Sequence, residues 1–306
     1  MATMRGVALD RFGTLLPGIA AQAAETSAQR GEEPVPGESP AQLSVPTVLP
    51  SAAPMRRSLL VLLLSLSAPA AAGPLVVLDP GHGGVHEGAM GVGGVMEKAL
   101  ALDFSLRAKE ALEKAGMTVV LTRDRDVHVK LSDRVAFSNA RRPDLFVSLH
   151  YNSMPTRAQR ERFAGLQTFF LSADTSGEEA RRTALRENAE SSPGPQQPHA
   201  DDTLAFILKD LARTEAHQDS SRLAAALHAR LLAATGAEDR GVQQAPLFVL
   251  MGMDAPAALV ELGFIAHPEE GKRLQEAGYQ QRLVEGLVAG VKDFLQTRTR
   301  AGAAAP

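Results

Sequence analysis

The chain predicts an α/β fold: a single domain with a twisted, mostly parallel central sheet flanked by helices and interrupted by a helical insertion. Three observations carry this. Leu75–Leu78 is a short continuous apolar run that stops at Asp79-Pro80-Gly81, the pattern of a buried strand emerging into a turn. From Glu97 onward the period changes, with Leu100, Phe104, Ala108, Ala111, Leu112 and Ala115 at helical spacing and Gly116 placed to close the helix. A strand over Met117–Thr122, a helix over Ser132–Ala140 and a strand over Leu145–Leu149 then complete a βαβαβ string. Right-handed crossovers in such a string bring the strand C-terminal ends to one edge, where open α/β sheets bind ligands. His82 follows the first strand and His150 terminates the third, so both are expected at that edge.

In the second half, strands are expected over Gly165–Leu171, Pro246–Met251 and Ala257–Leu262. Between them lies an insertion over about 173–218. It carries a charged helix (Gly177–Glu190), a Pro/Gln linker (Ser191–Pro198) and a second helix (Thr203–Thr214). A connection of this length inside a domain is functional or disordered. Ser220–Thr235, with Leu223, Leu227 and Leu231 on one stripe, reads as a core helix and Tyr279–Phe294 as the last one; residues 299–306 are expected to fray.

The N-terminus reads differently. Residues 1–54 are rich in Pro, Ala, Gly and Ser with no sustained period, as in a disordered segment. Residues 55–72 then combine Met55-Arg56-Arg57, the apolar run Ser58–Ser67 and an Ala-rich exit, the layout of a secretory signal peptide. Its position suggests that translation starts at Met55 and that 1–54 is an over-extended gene model; the alternative is a cytoplasmic tail ahead of a signal anchor, which Pro69 and Pro74 would interrupt. Cleavage after Ala70 or Ala72 would leave one domain over 73–298 with no stable membrane span.

With no cysteine, any metal must be held by His and carboxylate. A net charge of -3 with scattered basic residues gives no nucleic-acid footprint, and 4% aromatics without Trp argue against an appended sugar-stacking module. Four residues stand out against that background. His82 projects from a Gly-rich turn, Glu97 opens a helix, and His150 leaves a buried strand. Taken singly, a His in such a turn or an acid at a helix start is more often structural. Glu261, inside the apolar stretch Leu259–Phe264, is the strongest oddity, because a carboxylate there is costly unless it is paired, protonated or facing a site.

The ordered motifs VVLDPGHGG, Gly94–Lys98, Val119–Arg123, Leu145–Asn152 and Leu259–Phe264 resemble the zinc-dependent N-acetylmuramoyl-L-alanine amidases of the amidase-3 type, and the resemblance runs from Leu75 to about Phe294. It implies one Zn2+ held by His82, Glu97 and His150, with Glu261 as the catalytic carboxylate. It also implies hydrolysis of the amide bond between N-acetylmuramic acid and L-alanine of peptidoglycan, in cell-wall remodelling or daughter-cell separation, by an enzyme secreted across the inner membrane into the periplasm or cell wall. Asn152 is expected to orient His150 or to meet substrate. Tyr151 departs from the small residue usual in the family and puts the local pocket shape in question. Arg123 and Arg134 fall where the family favours Arg and are expected to hold the helices through salt bridges.

The insertion resembles the segment that covers the zinc cleft in division-associated members until an activator with a LytM-type domain displaces it. Glu187 of Arg186-Glu187-Asn188-Ala189 is then the residue expected at the open zinc position, with Glu190 as its competitor. Two other readings stand beside the amidase one: a zinc carboxypeptidase, which needs an Arg for a terminal carboxylate, and an inactive wall-binding scaffold, which predicts loss of a ligand or of Glu261.

Overall fold

The computed structural model describes residues 73–191 and 215–303, all within one compact unit. The expected N-terminal extension (1–54), the signal peptide (55–72), most of the linker and the helix over Thr203–Thr214 lie outside the described residues, as do 304–306. No helix among those described is long and apolar enough to cross a membrane.

Six strands form one sheet: β1 (Leu75–Pro80), β2 (Thr118–Leu121), β3 (Leu145–Asn152), β4 (Leu166–Leu171), β5 (Asp239–Ala245) and β6 (Ala257–Phe264), in the order β2-β1-β3-β6-β4-β5. Every neighbouring pair is parallel except β4 with β6. The helices are α1 (Glu97–Lys114), α2 (Leu131–Asn139), α3 (Arg157–Arg162), α4 (Glu178–Asn188), α5 (Glu215–Thr235), α6 (Glu270–Arg273) and α7 (Ala277–Ala303), and a 3-10 turn (Ala189–Ser191) prolongs α4.

The two faces of the sheet sort by strand parity. Val76, Leu78, Leu145, Val147, Leu149, Tyr151, Ala258, Val260 and Leu262 pack under α1, α5 and α7. Val77, Phe146, Ala257 and Leu259 face the other layer, which contains α2 and α4. Asp79, Ser148, His150, Asn152 and Glu261 share the parity of this second set, so the strand ends that carry chemistry all point to one face.

Three expectations need correction. Pro246–Met251 is not a strand; Leu247, Val249 and Leu250 are buried, but its backbone turns back on itself through Leu250 N–H to Leu247 O and Met251 N–H to Phe248 O. The strand lies just before it, in the polar stretch DRGVQQA, where a half-buried edge position needs no apolar alternation. The last helix extends past 299, to Ala303. Finally, β3 continues through His150 to Asn152, with a register irregularity between those two residues, so His150 lies within the strand rather than beyond it.

Helices α5 and α7 cross closely because α7 presents glycine at the crossing. A Cβ on Gly290 would lie 2.7 Å from Leu227 Cα and one on Gly286 would lie 2.9 Å from Leu231 Cα. Gly290→Val should therefore force the helices apart and lower unfolding free energy by about 1–3 kcal/mol, the usual range for overpacking, as read from urea denaturation.

Candidate metal centre

The turn after β1 is built around backbone carbonyls that need donors. His82 adopts φ +60°, which is costly for a residue with a Cβ. Two buried arginines hold it there. Arg134 donates to Pro80 O (2.8 Å), His82 O (2.7 Å) and Val129 O (3.0 Å). Arg123 donates to Pro80 O (3.0 Å), Gly81 O (2.6 Å) and Lys98 O (2.8 Å), tying the turn to the residue after Glu97. These side chains were expected to brace helices; their guanidinium groups brace the His82 turn instead. Arg134 also pairs with buried Asp79 at 2.8 Å, and Asp79 accepts further bonds from Thr122 and Ser148 Oγ (2.7 Å). Burial pushes the Asp79 pKa up, but Arg134 and the two hydroxyls more than offset this and hold it below its ordinary value.

Glu97 enters from the first turn of α1, with Oε2 accepting from Ala89 N–H (2.8 Å) and Oε1 from Tyr151 N–H (2.9 Å). His150 comes from β3, beside Glu261 on β6 in register. The structure brings His82, Glu97, His150 and Glu187 together, with one donor atom from each lying within 4.8 Å of all the others. His82 Nε2 is 3.0 Å from Glu97 Oε1 and 3.5 Å from Glu187 Oε2; His150 Nδ1 is 3.2 Å and 2.7 Å from the same two oxygens. Glu187, not Glu190, supplies the fourth donor. Glu190 bonds the opposite nitrogen of His82, Nδ1.

This set fits a divalent metal. His82 Nε2 and Glu187 Oε2 are buried at the point of convergence and make no acceptable hydrogen bond there. Two imidazole nitrogens with two carboxylate oxygens form a donor set suited to Zn2+. The electrostatics agree, because burial lowers the pKa of His82, yet Glu97 and Glu187 raise it to about 10. His150 is likewise raised, by Glu187 and Glu97 against burial, and Glu187 is held at about 2 by His150 and Arg186. Without a metal the two imidazoles thus hold the protons that offset the carboxylates, and a divalent cation would take their place.

Glu261 stands beside the set rather than in it. It is fully buried, and burial pushes its pKa up to about 8 although Arg186 opposes the shift. Arg186, next to Glu187 on α4, donates to Glu261 Oε1 (2.8 Å), Glu187 Oε1 (2.7 Å) and Asn152 Oδ1 (2.8 Å). The Asn152 amide is thus bonded to Arg186 and, through Nδ2, to Gln167 (2.7 Å), rather than to His150. Tyr151 leaves the pocket alone. By strand alternation its side chain lies under the opposite face, where its hydroxyl accepts from Gln280 (3.1 Å).

Sequence reasoning missed Arg186, Asp79 and Gln167. Asp79 carried a readable signal, the same one that exposed Glu261: an acid at the end of an apolar strand. Arg186 and Gln167 carried none, since their partners come from other elements.

The family profile described as N-acetylmuramoyl-L-alanine amidase (amidase-3) matches residues 76–293. The chain is 32% identical over 222 residues to the N-acetylmuramoyl-L-alanine amidase AmiC of Escherichia coli O6:H1, covering 72% of this chain and 52% of that protein. It is also 32% identical to AmiA of Escherichia coli K12, covering 72% and 75%. The match therefore spans about half of the one relative and three quarters of the other. The structure of amidase AmiC2 of Nostoc punctiforme superposes with a TM-score of 0.52 at 28% identity, over 73% of this chain and 97% of that one. The chain belongs to the N-acetylmuramoyl-L-alanine amidase family.

The arginine brace predicts a stability effect independent of chemistry. Arg134→Ala leaves the buried Asp79 carboxylate without its cation and should cost about 3–5 kcal/mol in urea unfolding of the metal-free protein.

Proposed function

We propose that this member of the amidase family is a zinc-dependent enzyme that hydrolyses the amide between the lactyl group of N-acetylmuramic acid and L-alanine in peptidoglycan. The observation that carries the reading is the Glu261 carboxylate, buried without an apolar reason beside the converging His82, Glu97 and His150 donors. Those three residues would hold one Zn2+, which when bound acidifies water and polarises the scissile carbonyl. Glu261 takes the proton of the attacking water and returns it to the departing L-alanine amine. Burial favours a proton on this carboxylate, as a group that accepts and returns one requires. Glu97 is fixed by two backbone N–H groups, and the His82 turn by two arginines, so the donor set is held in place before substrate arrives.

The inserted α4 opposes this chemistry in the resting protein. Glu187 takes the position a water would need, and Arg186 pairs with the base. On our reading α4 is an autoinhibitory element, and a partner that draws it out of the cleft, such as an activator with a LytM-type domain, would start catalysis. The substrate and the leader expected from sequence place the enzyme in the periplasm or cell wall, in cell-wall remodelling or daughter-cell separation. A carboxypeptidase would need an arginine free to hold a terminal carboxylate. Two arginines that line the groove over His82 are engaged, Arg160 with the carbonyls of Met154 and Pro155 and Arg186 with Glu261.

Digestion of purified peptidoglycan, followed by mass analysis, tests both parts. Wild type should release stem peptides with free L-alanine N-termini, and Glu261→Gln should release none while still binding zinc; cleavage within the peptide would reject the assignment. Glu187→Ala should raise basal release on the order of tenfold, equivalent to removing ~1.4 kcal/mol of resting-state preference. Basal activity at the wild-type level in a zinc-loaded Glu187→Ala protein would contradict autoinhibition.

A further inference from the structure

The ring of His82 faces a carboxylate at each nitrogen, and the two carboxylates come from different parts of the chain. Nε2 faces the donor set, with Glu97 Oε1 at 3.0 Å. Nδ1 faces away from it and bonds Glu190 Oε1. Only 7% of the Glu190 side chain is exposed, and its second oxygen lies 3.8 Å from Arg134 Nη2. A carboxylate on the outer nitrogen of a ligating imidazole fixes the tautomer, because Nδ1 then carries the proton and Nε2 keeps its lone pair. It also fixes the ring plane and makes the ligand more basic.

Local geometry explains why Glu190 reaches this place. Helix α4 ends at Asn188 and tightens into the 3-10 turn Ala189–Ser191. In a 3-10 turn, residues three apart lie nearly above one another, so Glu190 is drawn onto the face that carries Glu187. One face of one segment thus delivers a carboxylate to each side of His82.

We propose that Glu190 is a positioning residue for the metal, acting through His82 Nδ1, and that the inserted segment therefore retains the ion as well as covering it. This rests on the reading of His82 as a zinc ligand. Because Glu187 and Glu190 belong to the same segment, any displacement that uncovers the site also strips His82 of its outer carboxylate. The resting protein holds its metal more tightly than the opened one.

The turn carrying His82 is anchored separately by Arg134 and Arg123, so loss of the Glu190 side chain should leave the fold intact. The test is the zinc dissociation constant of the full chain, measured by competition with a chromophoric chelator. Glu190→Ala and the near-isosteric Glu190→Met should each bind zinc about 10–100-fold more weakly than wild type, with unchanged circular dichroism. Glu190→Gln, whose carbonyl still accepts from Nδ1–H, should recover part of the loss, and Glu178→Ala at the exposed start of α4 should change nothing. The weakening should persist in a Glu187→Gln background, since it acts through His82 and not through the fourth donor. The downfield Nδ1–H proton resonance of His82 should be present in the zinc-loaded wild type and absent in Glu190→Met. Wild-type affinity in both Glu190→Ala and Glu190→Met, or loss of the effect in the Glu187→Gln background, would overturn the proposal. Failure of the wild type to bind one zinc, or wild-type binding by His82→Ala, would instead sink the underlying assignment of His82.

Discussion

Burial of several carboxylates at one edge of the sheet is the constraint on which the rest of this structure depends. Glu97, Glu187 and Glu261 are each at most 4% exposed and converge, among the described residues, with two imidazoles and one guanidinium. A buried carboxylate left alone costs several kcal/mol, so each must be given a countercharge or a proton. The solutions differ by residue. Glu97 takes backbone N–H groups and two histidines, Glu187 shares those histidines, and Glu261 takes Arg186 while its pKa rises toward neutrality. A divalent cation at the point of convergence would relieve the first two at once and leave Glu261 outside its shell.

The surrounding architecture holds that arrangement against its own strain. A histidine at positive φ and a glycine turn that must pass close to a second histidine would not persist on local preference. A Cβ on Gly81 would lie 2.4 Å from the His150 ring, so only glycine lets the turn approach so closely. Arg134 and Arg123 supply the missing donors, and Asp79 supplies the charge that makes burying Arg134 tolerable. The inserted segment then adds three side chains to that arrangement: Arg186 bonds Glu261, Glu187 joins the His82, Glu97 and His150 donors, and Glu190 bonds the outer nitrogen of His82.

Much of this was legible in sequence because it follows from short-range pattern. The βαβαβ alternation, the strand-end placement of His82 and His150, and the misplaced acid at Glu261 each depend on a residue and its immediate neighbours. The charged period of α4 also marked a helix before its partners were known. What stayed hidden depended on tertiary context. Strand β5 is a polar edge, so the adjacent apolar run at Pro246–Met251 drew the assignment to itself. Asn152 looked like support for His150 because they are neighbours in sequence, yet its amide is claimed by Gln167 and Arg186 from two other elements. Arg123 and Arg134 were visible as charges, but nothing local indicated that backbone carbonyls rather than acids would be their main partners.

The central claim is that one metal ion sits among His82, Glu97 and His150 with Glu187 completing its shell in the resting protein. Anomalous diffraction at the zinc edge from crystals of the zinc-loaded full chain tests this most directly. The account predicts a single strong peak bounded by His82 Nε2, His150 Nδ1 and the Glu97 and Glu187 carboxylates, with Glu261 outside the shell. A peak elsewhere, or one whose fourth ligand is Glu261 with Glu187 turned away, would contradict it.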